Sequence, residues 1–144
     1  MSAWADGVVE MPVLAVVARE GAMTAWLAAL CETLCIRMHV VPDPGALADT
    51  LARIRPVGVM CGDLGGHGHP ISRVLRLVAG YDRALPVLLI TSDEPETLGC
   101  IDAAADLWPL ENMEHAALPV RVTIVLDFLA RAGQQHGALR MLRA

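Results

Sequence analysis

The sequence predicts an α/β protein: a doubly wound, five-stranded parallel sheet with helices on both faces. Short apolar runs rich in β-branched residues alternate five times with segments whose apolar residues fall at helical spacing. The runs are continuous rather than alternating in polarity, as in strands covered on both faces. Turn chemistry built from Gly, Pro, Asp and Ser separates one element from the next.

Val13–Ala18 is the first such run, ended by Arg19-Glu20-Gly21. From Ala22 to Ile36, Trp26, Leu27, Leu30 and Leu34 recur at three- and four-residue steps, which makes an amphipathic helix. Met38–Val41 is a second strand, and Pro42-Asp43-Pro44-Gly45 turns the chain into a second helix, Ala46–Ile54, stopped by Pro56. Val57–Cys61 is the third strand, and the glycine-rich stretch Gly62–Pro70 reads as a loop before a helix over Ile71–Ala79. Leu85–Ile90 is the clearest strand, closed by Thr91-Ser92-Asp93-Glu94-Pro95, with a fourth helix over Glu96–Ala105. A weak fifth strand is placed at Leu107–Leu110. The long apolar stretch Ala116–Ala132 is read as the last helix on its length, although Val120, Val122, Ile124 and Val125 are β-branched. The tail 133–144 is expected to continue helical after a break at Gly133.

The chain is read as one domain, residues 1–144, with its core at about 11–132. At 144 residues it is long enough to bury a core without metal or disulfides. Hydrophobic residues make up 55% of it, yet a charge or proline interrupts every apolar block well before the ~18 residues that span a bilayer. No membrane role is expected. Met1–Glu10 lacks a basic segment ahead of an apolar one and carries Asp6 and Glu10, so a cytoplasmic location is expected. The four cysteines form no CxxC pair, and Cys31 and Cys35, one helical turn apart, are expected to be free structural thiols. A net charge of −5 argues against a nucleic-acid footprint. All eleven basic residues are arginines.

In a doubly wound sheet, sites collect at the carboxyl ends of the strands, where the strand order reverses. Those ends supply Arg19, Glu20, Asp63, Thr91 and Ser92. No GxGxxG or GxxxxGK[ST] follows the first strand, which speaks against a nucleotide cradle. GxSxG, HExxH and a Ser-His-Asp ordering are also missing, so the chain is not expected to be an enzyme.

The order and spacing of Val13–Glu20, Val57–Asp63 and Pro86–Ser92 resemble the receiver domains of two-component response regulators, over about residues 11–132. The resemblance implies a flavodoxin-like fold. It also implies a site in which two acids after strand one hold Mg²⁺, an Asp after strand three accepts phosphate, a hydroxyl residue ends strand four and a lysine ends strand five. In this sequence the acid positions fall on Ala18 and Arg19, with Glu20 one place later. Asp63 is the candidate acceptor, one residue past the position counted from Pro56, where Gly62 stands. Thr91 fits the hydroxyl position. The lysine position falls near Leu110, and the chain has no lysine. Arg19 could pair with Asp63 and replace metal and lysine together.

The expectation is therefore an atypical receiver-like signalling module, a pseudo-receiver, that binds a protein partner and takes no cofactor, with Mg²⁺ bound far more weakly than in a working receiver. A histidine kinase or a downstream regulator would be such a partner. Two other readings stay open: a phosphoacceptor regulator using Asp63 and Thr91, and a flavodoxin-like domain binding a small ligand or metal through Cys61, Asp63, His67 and His69. Asp63 could also be simply a turn-former. Trp4, Trp26 and Trp108 are read as packing residues. The breadth of the apolar segment Val120–Leu129 predicts a homodimer through Leu118, Val122, Val125 and Leu129.

Overall fold

The computed structural model describes residues 11–62 and 69–143, with the side chains of 69 and 135–143 left aside. The elements run β1 Val13–Val17, α1 Ala22–Thr33, β2 Arg37–Val41, a 3₁₀ turn Pro44–Ala46 leading into α2 Leu47–Ile54, and β3 Gly58–Cys61. They continue with α3 His69–Tyr81, β4 Val87–Thr91, α4 Pro95–Leu107, β5 Met113–Ala117 and α5 Val122–Arg143. The five strands are all parallel in the order β2-β1-β3-β4-β5. The predicted fold class is therefore the observed one.

Alternate side chains of β1 explain why its run is continuously apolar. Ala15 and Val17 face α2, α3 and α4, packing with Leu47, Leu51, Val74, Leu75 and Ile101. Leu14, Val16 and Ala18 face the other way, toward Leu27 and Cys31 of α1 and Val125, Phe128 and Leu129 of α5. Two cores thus sandwich one sheet, each removing a full set of aliphatic side chains from water.

Local chemistry sets the helix ends. At the start of α1 the Thr24 hydroxyl accepts from the Gly21 amide at 2.8 Å, pairing an N–H the helix start leaves unmatched, and donates at 2.9 Å to the Gly21 carbonyl, which also accepts from the Ala25 amide at 3.0 Å. The helix closes with Cys35 in the left-handed region, φ 57°, while the Ile36 amide reaches back to the Cys31 carbonyl at 2.8 Å. The α2 segment begins with the Asp43 carboxylate accepting from the Gly45 amide at 2.9 Å and ends on Arg55, φ 48°.

Three expectations are corrected. The fifth strand is Met113–Ala117, not Leu107–Leu110: Leu107 ends α4, and Trp108 and Leu110 pack against the core from the following loop. The last helix begins at Val122 rather than Ala116, because Ala116 and Ala117 belong to β5 and a cis Leu118–Pro119 bond follows. It then passes through Gly133 without a break, to Arg143. Helical continuation of the tail is right and the break is wrong.

The proposed homodimer face divides. Leu118 and Val122 are exposed, at 45% and 44%, but Val125 and Leu129 are 0% and 1% exposed within the core. Val125, Phe128, Leu129 and Ala132 fall at i, i+3, i+4 and i+7, the face that α5 presses on the sheet. Val125 and Leu129 thus close this domain and are not part of an exposed face.

Candidate functional site

Strand order reverses between β1 and β3, since the chain leaves β1 for β2 on one side and β3 leads to β4 on the other. The carboxyl ends of β1 and β3 therefore frame the crevice at which a sheet of this kind binds its ligands. The register pairs Val17 with Cys61, and the Gly62 amide donates to the Val17 carbonyl at 2.9 Å. Ala18 and Gly62 consequently stand side by side as the first residues past their strands, and both are buried.

What fills the crevice at this point is apolar. The Met23 methyl occupies the space that a Cβ on residue 62 would take, and such a Cβ would also lie 3.2 Å from the Ala18 Cβ. A side chain at 62 could enter only if the flexible end of Met23 moved out. Arg19 and Glu20 follow Ala18 but are exposed, and neither has a hydrogen bond or ion pair to any described residue. Asp63 and His67 lie outside the described residues, as does Trp4, and the His69 side chain is not described. The pairing of Asp63 with Arg19 lies outside them too. Cys61 is buried in the sheet. Among the described residues, no three His, Cys, Asp or Glu side chains are grouped to hold a metal ion.

Thr91 ends β4, as predicted, and is almost wholly buried. Its hydroxyl lies 2.9 Å from the Ser92 carbonyl and 2.7 Å from Nε2 of His115 on β5. A hydroxyl has one proton to give. With that proton on the Ser92 carbonyl, the His115 Nε2–H donates to the Thr91 oxygen, and all three groups are satisfied. The Thr91 carbonyl in turn accepts from the Leu118 amide at 2.9 Å, which ties the tip of β5 to that of β4. The position after strand five is thus held by Leu118, where the sequence count had pointed near Leu110. Sequence reasoning missed His115 because it placed β5 too early, and it missed Met23 because a methionine on a helix face looks like any other core residue.

The thiols follow their burial. Cys31, Cys35, Cys61 and Cys100 are not joined in disulfides, and burial pushes the Cys31 thiol above its ordinary pKa. At the opposite end of the sheet a cavity of about 230 Å³ opens between α5 and the starts of β4 and β5, with Phe128 and the Glu114–Arg131 ion pair in its wall. No described helix is long and apolar enough to cross a membrane.

No family model matches the chain, and no curated protein does. Solved structures do. A signal receiver domain of an HD-domain protein from Pseudomonas fluorescens superposes with a TM-score of 0.70 at 17% identity, covering 92% of this chain and 94% of its own. The chemotaxis protein CheY4 of Vibrio cholerae gives 0.66 at 12% identity, covering 85% of this chain and 99% of its own. The receiver domain of a sensor histidine kinase from Pseudomonas aeruginosa, solved with magnesium in its active-site cleft, gives 0.65 at 14%, covering 86% and 99%. Strand order, helix placement and the position of the crevice together give this chain the fold of the receiver domains.

Proposed function

We propose that the chain is a receiver-like signalling module of the pseudo-receiver type, working by contact with a protein partner and not by Mg²⁺-dependent phosphorylation. One observation carries this reading: the Met23 methyl, Ala18 and Gly62 fill the crevice between β1 and β3 with hydrocarbon and bare backbone. A hard cation needs several oxygen ligands. The P. aeruginosa domain holds magnesium in its cleft, but the described residues at the corresponding place here do not fit that ion, and no step is assigned to it. Leu118 after β5 supplies no counter-charge for a phosphoryl group either. The partner is expected to be a histidine kinase or a downstream regulator, and thiols not joined in disulfides suit a cytoplasmic setting.

Intact-mass measurement after incubation with acetyl phosphate and Mg²⁺ tests this reading. No added phosphate is expected, nor any Mg²⁺-dependent change in amide shifts at physiological metal. Stoichiometric phosphorylation that disappears in Asp63→Asn would overturn the reading in favour of a phosphoacceptor.

A further inference from the structure

The charges on one side of this chain are unevenly spread. From Ala84 to Val120 there are seven carboxylates and no arginine, whereas the end of α2, its C-terminal cap and α3 carry Arg53, Arg55, Arg73 and Arg76, with exposed Asp43 and Asp49 the acids on the approach to and first turn of α2. All four arginines are exposed, and none is ion-paired to a described residue. The α2 helix packs on α3, and α3 on α4, on one side of the sheet. That side therefore grades from a guanidinium face to a carboxylate face, where Asp102 and Asp106 stand exposed one turn apart on α4.

Each face also has an apolar centre. Leu107 is 68% exposed beside Asp106, and Ile54 and Leu77 are only half-covered beside Arg53 and Arg76. Because the two faces lie side by side on the same layer, neither can fold over onto the other within one molecule. They can meet only between molecules.

We propose that the α2–α3 arginine face docks on the α4 carboxylate face of a second copy of this chain. The contact is heterologous: each copy spends one face on each neighbour, so association continues head to tail instead of stopping at a symmetric dimer. Arginine suits this role because its planar fork meets a carboxylate through two parallel hydrogen bonds. The acidic α4 next door and the net charge of −5 argue against nucleic acid as the occupant. The proposal rests on the reading of the chain as a protein-binding module and supplies one partner for it.

Two variants of the full chain test it by sedimentation velocity. Wild type should grow in mass with concentration at about 0.05 M salt and weaken at least ~10-fold in affinity by about 0.5 M, as screened surface pairs do. The Arg73→Gln, Arg76→Gln variant keeps its carboxylate face, and the Asp102→Asn, Asp106→Asn variant keeps its arginine face. Each alone should stay monomeric, while a mixture of the two should form a dimer and no more, because one native pair of faces remains between them. Circular dichroism verifies that both are folded. Monomeric wild type at low salt, association unchanged by these substitutions, or no dimer in the mixture would overturn the proposal, as would retention of an oligonucleotide by the arginine face in place of self-association. Failure here with no phosphate uptake would leave the module reading standing; phosphate uptake would strike that reading separately.

Discussion

Replacing Val125 with Glu separates a covered core position from an available surface. Val125 is 0% exposed among Leu14, Val16, Leu27 and Phe128. Removing the valine forfeits about 1.5–3 kcal/mol of burial, and an unpartnered carboxylate in its place costs about 3–5 kcal/mol more. The sum is comparable to the whole stability of a small domain, about 5–15 kcal/mol. Val125→Glu should therefore be largely unfolded at neutral pH by circular dichroism and urea titration, whereas Val122→Glu, at an exposed position, should shift stability by no more than about 0.5 kcal/mol. The pH dependence carries the sign of the cause. Burial raises the folded-state pKa of the new carboxyl, so the charge penalty is absent below the unfolded value of about 4.3 and grows as pH rises above it. The difference in stability between variant and wild type should narrow as pH falls. A Val125→Glu protein that is folded and stable at pH 7 would refute the burial argument and return α5 to the list of free surfaces.

Three further outcomes are expected. Thr91→Val removes a buried hydroxyl bonded to the Ser92 carbonyl and His115, which should cost about 1–2 kcal/mol by urea denaturation; nitrogen shifts of His115 should lose the bonded Nε2–H signature. Iodoacetamide followed by peptide mass analysis should label exposed Cys35 readily and buried Cys31 only after unfolding, since burial disfavours the Cys31 thiolate. Arg55→Gly should stabilise the fold by about 0.5–1 kcal/mol in thermal melts, because a side chain in the left-handed region carries a strain that glycine does not.

β1, β3 and β4 were legible because both faces of each are covered, which writes an uninterrupted apolar run into the sequence, and the edge strand β2 was found from Met38, Val40 and Val41 and from the Pro42–Gly45 turn that closes it. The fifth was not. Met113–Ala117 is an edge strand whose Glu114 and His115 need not be apolar, while the more hydrophobic Leu107–Leu110 caps α4 and fills core from a loop. That slip displaced the position after strand five from Leu118 to Leu110 and hid the partnership of Thr91 with His115, which depends on strand register. Thr91 itself, closing an unmistakable strand, was found from its own residues. The filling of the crevice by Met23 lies beyond any spacing rule, since it depends on where one flexible side chain ends.

The α5 helix has a mechanical consequence. Its last described buried side chain is Ala132, and the helix runs on through Gly133–Arg143, about 16 Å of further rise. The turns around Phe128 act as a fulcrum, and the distal turns as an arm. A tilt of about 10° at the fulcrum, small enough to need only local repacking of the sheet's second core, would sweep the tip by about 3 Å. A small shift at the sheet, such as a load on exposed Leu118 and Val122, would thereby reach the end of the helix as a larger displacement.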